Sequence, residues 1–135
     1  MANTLEERLE RILPGGKGVW IPMDHGASSF PVDGLTDTEF VVDSVIGGGA
    51  DAIVLQKGLL SHHHSRNGWD GYECHISVST IHGGERSQDK VSVATASEAL
   101  LRGANGVSAQ VNLGDKYEPE MIQRLGELSR QAYLE

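Results

Sequence analysis

The chain has 135 residues, of which 19 are acidic and 11 basic, and its formal net charge is -8 at pH 7. This length suffices for one compact domain. The acidic excess argues against a nucleic acid or membrane partner, because such surfaces need clustered Lys and Arg. Cys74 is the only cysteine, which excludes an intrachain disulfide and favours a reducing, cytoplasmic location. Residues 1–13 lack the basic and apolar regions of a signal peptide, and the sequence predicts no membrane span.

The first third of the chain predicts a helix, a strand and a second helix. Residues 4–7 (Thr-Leu-Glu-Glu) have the form of a capping box and precede apolar residues at helical spacing, which end at Pro14. The apolar run 18–23 is bounded by glycine and is typical of a short buried strand. Residues 36–39 (Thr-Asp-Thr-Glu) form a second capping box before an apolar stripe that ends at the glycines 47–49.

The middle of the chain contains two more predicted strands, at 51–56 and 74–80. The polar segment between them shows no clear helical periodicity and contains three consecutive histidines, His62, His63 and His64. Consecutive side chains diverge, and no Glu at zincin spacing accompanies them, so the sequence predicts a solvated loop and no metal site there.

The last third predicts a short helix, a strand and a long helix. Residues 95–98 (Thr-Ala-Ser-Glu) cap a helix that ends at Gly103, and the run 106–112 follows as a fourth strand. Pro119 stands where a final helix to Leu134 would begin. Residues 49–56 resemble residues 103–110, since each is a helix-ending glycine that leads directly into a strand. Such an internal echo is what repeated βα units require.

Near-continuous apolar strands that alternate with capped helices are typical of a parallel sheet covered by helices. A small doubly wound sheet would also fit this pattern, but no glycine-rich phosphate motif follows strand one. Polar residues stand instead at the ends of the strands, where a (β/α)8 barrel builds its active site. They are Asp24, His25, Lys57, Ser79, Thr80 and Asn112. We therefore predict an α/β fold: the N-terminal half of a TIM (β/α)8 barrel, with about four βα units, a parallel sheet and outer helices, as a single partial domain over residues 1–135.

Asp24 and His25 end an apolar strand, where a carboxylate is partly desolvated and can be tuned as a general acid or base. Gly26, Ala27 and Ser28 then offer backbone N–H groups and a hydroxyl suited to a polar or phosphorylated substrate. The alternative is that Asp24 only caps a turn or pairs with a neighbouring cation.

Lys57 follows strand two, where a lysine could form a Schiff base, hold an anion or pair with Asp24. His75 lies within strand three and His82 beyond it, and a strand histidine is more often a hydrogen-bonded core residue than a catalyst. Cys74 has no basic neighbour in sequence to lower its pKa, so we expect a small buried residue.

Five segments of the chain resemble, in order, blocks of the archaeal-type class I aldolases of the DeoC/LacD superfamily. This family includes 2-amino-3,7-dideoxy-D-threo-hept-6-ulosonate synthases and class I fructose-bisphosphate aldolases. The segments are 22–26 (Pro-Met-Asp-His-Gly), 48–58, 75–80, 89–95 and 106–114. The resemblance runs from about residue 5 to about residue 132, but it covers only the first half of the family's barrel.

By this resemblance Asp24 corresponds to the family's acid/base aspartate, and residues 24–28 to its first substrate-binding loop. Lys57 is similar to a second-strand lysine that is not the Schiff-base residue. The family takes its proton-donor tyrosine from strand five and its imine-forming lysine from strand six, and Tyr133 does not match the tyrosine motif. The resemblance implies a lyase or transferase that acts on phosphorylated keto sugars and aldehydes without a cofactor, and we expect this chain alone to be inactive.

Four parallel strands leave two unpaired edges and an inward-facing apolar wall, to which strand one contributes Val19 and Ile21 or their alternates. Such edges invite pairing, so we expect either a complementary C-terminal half-barrel or a homo-oligomer as partner. The sequence leaves open a split aldolase, a remnant, and a non-catalytic half-barrel that binds sugar phosphates.

Overall fold

The computed structural model describes residues 4–25, 32–80 and 84–135. In these ranges helices and strands alternate along the chain, except that three strands follow one another between the third and fourth helices. The helices are α1 (Leu5–Ile12), α2 (Thr38–Gly47), α3 (Lys57–Asn67), α4 (Ala96–Leu101) and α5 (Glu118–Leu134). The strands are β1 (Trp20–Pro22), β2 (Ala52–Leu55), β3 (Tyr72–His75), β4 (Ser77–Val78), β5 (Val91–Ser92) and β6 (Gly106–Ser108).

Four of the strands form one parallel sheet in the order β1-β2-β3-β6. Ile21 pairs with Ile53, Leu55 pairs with Cys74, and His75 pairs with Ser108. The parallel sheet with its covering helices confirms the predicted α/β fold class. β4 and β5 form a separate antiparallel pair.

The two faces of the parallel sheet differ in chemistry. One face carries Ile53, Leu55, Tyr72 and Cys74, all fully buried against residues of α2, α3, α4 and α5. Burying one such aliphatic side chain stabilises the fold by roughly 1.5–3 kcal/mol. Because side chains alternate along a strand, the other face carries Val54, Glu73, His75 and Ser108. The polar groups of the central strands therefore share one face.

The predicted helix ends are largely present, with one correction. Thr4 forms the expected capping box with Glu7, and Thr95 caps α4 by accepting from the Glu98 N–H at 3.1 Å. The second helix is capped by Asp37 and not by Thr36, since the Asp37 carboxylate accepts from the Phe40 N–H at 3.0 Å. A carboxylate at this position also interacts favourably with the helix dipole.

The predicted polar loop after strand two is wrong, because residues Lys57–Asn67 form α3. The helix ends at Gly68, which adopts the left-handed conformation with φ 63°. Its buried residues are Leu60 and His63. A histidine on the buried face interrupts the apolar stripe by which an amphipathic helix is recognised in a sequence.

The predicted third strand, 74–80, is also divided differently. β3 begins earlier, at Tyr72, and ends at His75, after which the chain leaves the parallel sheet to pair through β4 with β5. Ile76 remains anchored to the parallel sheet because its N–H donates to the Ser108 carbonyl at 2.9 Å.

Among the described helices, including the 17-residue α5, none combines the length and apolar character needed to cross a membrane.

Candidate functional site

Asp24 lies just beyond the end of β1, at the carboxyl edge of the parallel sheet. The N–H of Met23 donates to the Val54 carbonyl at 2.8 Å, and the Met23 side chain is buried in the core that the helices cover. Since successive side chains point to opposite faces, Asp24 turns to the polar face of the sheet. It is half-buried there, with 25% of its side chain exposed.

The imidazole of His75 contacts Asp24 from the end of β3. Its Nε2 lies 3.8 Å from Oδ2 of Asp24, and its Nδ1 lies 2.7 Å from the Ser108 hydroxyl. Burial lowers the pKa of His75, the Asp24 carboxylate opposes that change, and Lys90 adds to it. The net lowering means that His75 is mostly neutral at pH 7 and can donate one ring N–H while it accepts at the other nitrogen.

Glu73 precedes His75 by two residues on β3 and therefore lies on the same face of the sheet. Its side chain is buried, and neither carboxylate oxygen has a hydrogen-bond partner among the described residues. Burial raises the pKa of Glu73 to about 7; the Ser108 hydroxyl opposes this rise and the Asp24 carboxylate adds to it. Glu73 can therefore gain or lose a proton near neutral pH.

Lys57 does not pair with Asp24, the alternative that the sequence left open. Its Nζ donates to Oε1 of Glu98 at 3.1 Å, and Arg102 binds the same oxygen. These two cations, Lys57 first, hold the pKa of Glu98 below its usual value. Lys57 opens α3 immediately after β2, and this contact lies on the side of the sheet that the helices cover.

The structure gives contacts for only some of the other predicted site residues. His25 is exposed, and Gly26, Ala27 and Ser28 lie outside the described residues. The Ser79 hydroxyl accepts from Lys90 Nζ at 2.5 Å. The Asn112 amide donates to the Gln88 carbonyl at 2.7 Å. Lys90 also acts on the His75 pKa.

The histidine triplet is not an exposed loop, which corrects the prediction. His62 is half-exposed and bonds Glu39 at 2.8 Å, whereas His63 is fully buried with an unpartnered Nε2. Within the described ranges, no group of three His, Cys, Asp or Glu side chains is arranged to hold a metal ion. Cys74 is buried as predicted, and burial raises its pKa to about 12, so the thiol is not a nucleophile at neutral pH. His82 lies outside the described residues.

Sequence reasoning missed Glu73 and Ser108. Glu73 stands inside a buried strand, where an acidic residue carries a high desolvation cost and usually has a partner. Its spacing of two residues from His75 was the available signal, since it puts both side chains on the same face as Asp24. This arrangement of a carboxylate, a neutral imidazole and a protonatable buried acid is suited to moving protons.

The chain also resembles known proteins in sequence. Residues 19–133 match the sequence profile described as DeoC/LacD family aldolase. The chain belongs to the DeoC/LacD aldolase family. Two of its relatives are the 2-amino-3,7-dideoxy-D-threo-hept-6-ulosonate synthase of Halobacterium salinarum, 36% identical over 125 residues, and synthase 1 of Archaeoglobus fulgidus, 33% identical over 123 residues.

The solved aldolase structures show the same fold. The crystal structure of an archaeal fructose 1,6-bisphosphate aldolase superposes with a TM-score of 0.81 at 25% identity, over 97% of this chain and 53% of that one. A second archaeal structure, with its catalytic Lys bound to the carbinolamine intermediate, gives a TM-score of 0.80 at 24% identity.

This DeoC/LacD chain spans about half the length of its relatives. The matches cover 93% of the chain but 47% of the Halobacterium protein, and 90% of the chain but 46% of the Archaeoglobus protein. The four-stranded parallel sheet with its helices corresponds to about half of an aldolase TIM barrel, as the sequence predicted.

Proposed function

We propose that these residues form the acid/base half of a class I, Schiff-base aldolase site that acts on phosphorylated keto sugars, with Asp24 as the general acid/base. The observation that carries the proposal is the contact between Asp24 and the neutral His75 at the carboxyl edge of the sheet. In barrels of this type the carboxyl edge is where catalytic groups collect. The family match and the aldolase neighbours support the same reading.

The proposed chemistry needs a group that moves a proton when the carbon–carbon bond breaks or forms. With the substrate carbonyl converted to an iminium, a base takes the proton of the hydroxyl on the carbon beyond the bond. That bond then breaks, and its electron pair moves toward the iminium nitrogen. Asp24 presents a half-buried carboxylate 3.8 Å from Nε2 of His75, and in this proposal it accepts the proton and returns it in the reverse direction.

The imine-forming lysine of this proposal lies outside the 135 residues. Lys57 follows β2, but its Nζ donates a hydrogen bond to the Glu98 carboxylate. Lys90 donates to the Ser79 hydroxyl. Either lysine would have to give up its hydrogen bond before it could attack a substrate carbonyl. We therefore infer that the chain alone has no turnover, whereas in the archaeal structure named above a catalytic Lys carries the intermediate.

The substrate class follows from the relatives. We infer a phosphorylated keto sugar and an aldehyde as substrates, with a heptulosonate-type synthase as the closer reading and a fructose-bisphosphate aldolase as the alternative. Asp24, His25, Gly26, Ala27 and Ser28 would form the first substrate-binding segment, and no cofactor is required. A cytoplasmic location agrees with the single free cysteine.

The partner proposal rests on the sheet edges and on exposed apolar side chains. β1 and β6 are the outer strands of the parallel sheet, and Val19 and Trp20 beside or within β1 are 60% and 36% exposed. A complementary C-terminal half-barrel or a second copy of the chain would cover these edges.

Borohydride trapping tests the division of roles. The 135-residue chain is incubated with fructose 1,6-bisphosphate and sodium borohydride, and intact mass and peptide mapping follow, with an archaeal fructose 1,6-bisphosphate aldolase as positive control. We expect an adduct on the control and none on the chain. A stoichiometric adduct at Lys57 or Lys90 would overturn the assignment and make that lysine the nucleophile.

A further inference from the structure

Glu73 is an unusual residue for the centre of a parallel sheet. It is 1% exposed, and neither of its carboxylate oxygens has a hydrogen-bond partner among the described residues. A buried carboxylate costs stability unless a cation or several hydrogen-bond donors compensate it. The described part of the chain supplies no such group at this point of the sheet.

Glu73 lines a cavity of about 290 Å³ between the sheet and α1. A cavity of roughly 150 Å³ already accommodates a benzene molecule, so this one has room for a long side chain. Both edge strands of the parallel sheet reach the cavity, through Trp20 of β1 and Val107 of β6. It is therefore bounded by the two strands that lack a neighbour on one side.

The wall of the cavity beside Glu73 is fixed and has no side chain on β6. Gly106 is the register partner of Glu73, and a Cβ atom there would stand 3.5 Å from Cγ of Glu73 and 3.3 Å from Cδ1 of Ile12. The Trp20 indole N–H donates to the Ile12 carbonyl at 2.6 Å and thereby ties α1 to β1. The nearest neighbours of Glu73 on this wall are therefore backbone and an apolar side chain.

The rest of the cavity wall is largely apolar and partly open to water. Leu5 and Leu9 of α1 both line the cavity and are 71% and 45% exposed. Exposed apolar side chains around a concave surface favour coverage by another apolar surface. A carboxylate among apolar walls is complementary to a basic side chain, which combines an apolar stem with a charged head. Arginine fits best, because its planar fork can donate to both unpartnered oxygens at once.

Arg8 of α1 is the basic residue of this chain that lines the cavity. Because neither oxygen of Glu73 has a partner, the Arg8 guanidinium does not bind the carboxylate. A second copy of the chain supplies no better cation through its sheet edges. The edge strands, Trp20–Pro22 and Gly106–Ser108, contain no Lys or Arg, and pairing through them would bring a second Glu73 close by.

We propose that the cavity receives a basic side chain, an arginine by its fit to both oxygens of Glu73, from the strand that pairs with β6 in a complementary half-barrel. The inference rests on the proposed function in one respect, namely that a complementary half-barrel is the partner. The chain covers 47% of the Halobacterium salinarum synthase, and in a barrel of βα units the strand after α5 lies beside β6. The carboxyl end of α5 borders the cavity through Ala132, so this strand starts next to it.

The first test is the binding of n-propylguanidinium, which reproduces the arginine side chain, to the 135-residue chain. The methyl groups of Val107 and Ala104, which line the cavity, report binding by NMR. A pH of about 8.5 keeps Glu73 charged, since its pKa is about 7. We expect saturable shifts and an affinity at least about 10-fold higher than that of neutral n-propylurea, because hydrogen bonds to charged groups are the stronger ones.

The matched variants are Glu73→Gln and the exposed Glu120→Gln. The preference for the cation should vanish in Glu73→Gln and persist in Glu120→Gln. Absence of shifts at the cavity, equal affinities for the two probes, or a preference that survives Glu73→Gln would overturn the cation site.

A double-mutant cycle tests the strand as the source of the basic side chain. The C-terminal half of the Halobacterium salinarum synthase is prepared with Arg or with Met at the inward-facing position of its first strand beside Glu73. Each version is titrated by calorimetry into the chain and into its Glu73→Met variant. We expect the Arg version to bind the unmodified chain at least about 10-fold more tightly than the two single replacements together predict.

Three results would overturn the strand as the source. They are affinities that show no coupling, no binding of either version, and Val107 shifts that depend on the concentration of the chain alone, which would identify a second copy as the occupant. Neither test measures turnover. Loss of the proposed aldolase activity would leave the Glu73 result unchanged, and failure of the Glu73 pair would leave the role of Asp24 untouched.

Discussion

Gly103 lies against the imidazole ring of His64. A Cβ atom at position 103 would stand 2.4 Å from Cγ of that ring, and the backbone of Gly103 has a φ of 104°. The ring in turn packs edge-to-face on Tyr72 of β3, with centroids 6.4 Å apart. The glycine that ends α4 therefore also allows α3 to approach the sheet.

We expect Gly103→Ala to destabilise the chain by roughly 2–4 kcal/mol, from backbone strain at positive φ and from overpacking against His64. Gly49→Ala is the matched control, since Gly49 has a φ of 87° but nothing within 4 Å of an added Cβ. It should lose only the backbone part, about 1–2 kcal/mol. Urea unfolding measures both. Equal decreases in the free energy of unfolding would show that the His64 ring moves aside without measurable cost.

These two glycines show which features of the fold could be predicted from the sequence. The echo between residues 49–56 and 103–110 predicted a helix-ending glycine before each strand, and both glycines adopt positive φ before β2 and β6. Capping and apolar runs are local signals, so the helix starts and the parallel sheet could be predicted.

The failures came from tertiary contacts that no local pattern encodes. α3 was missed because His63 occupies its buried face, and a histidine reads as polar. The Lys57 partner, Glu98, is 41 residues away on α4. Glu73 joined the candidate site only when the pairing of β3 with β6 placed it on the same face as Ser108. Register between strands that are not consecutive in the sequence is a property of the assembled sheet.

His63 should make the stability of the chain fall in mild acid. Burial lowers the pKa of His63 in the folded state, with Arg66 and His62 adding to the effect and Glu39 and Asp43 opposing it. As the pH falls through 6.5, the unfolded chain binds this proton first, so the contribution is present above pH 6.5 and lost below it. The loss is at most about 1.4 kcal/mol per pH unit, the limit for one proton.

His63→Leu should flatten that dependence in urea unfolding between pH 5 and pH 7.5, with the half-exposed His62→Gln as control. If the wild type and His63→Leu lose stability in parallel, His63 is not the responsible group.

Glu73 should make the stability of the chain fall as the pH rises, which is the opposite of the effect of His63. Its folded pKa of about 7 lies above the ordinary value of 4.5, so its contribution to stability is full below pH 4.5 and lost as the pH rises through 7. Over that window Glu73→Gln should gain on the wild type by up to roughly 3 kcal/mol, since each unit of pKa is worth about 1.4 kcal/mol. The exposed Glu120→Gln serves as control, and a stability difference between Glu73→Gln and wild type that is independent of pH would refute the buried titration.

The role of Asp24 is the central claim, and a fusion tests it most directly. Residues 1–135 are joined to the C-terminal half of the Halobacterium salinarum synthase, the relative of which this chain covers 47%. Formation of that enzyme's named product is then measured. We predict turnover by the folded fusion, a loss of at least about 100-fold in kcat/KM for Asp24→Asn, and little change for Asp43→Asn, which removes the carboxylate of the Arg66 pair between α2 and α3. A folded fusion without turnover, or an Asp24→Asn fusion as active as its parent, would contradict the assignment of Asp24 as the acid/base of an aldolase site.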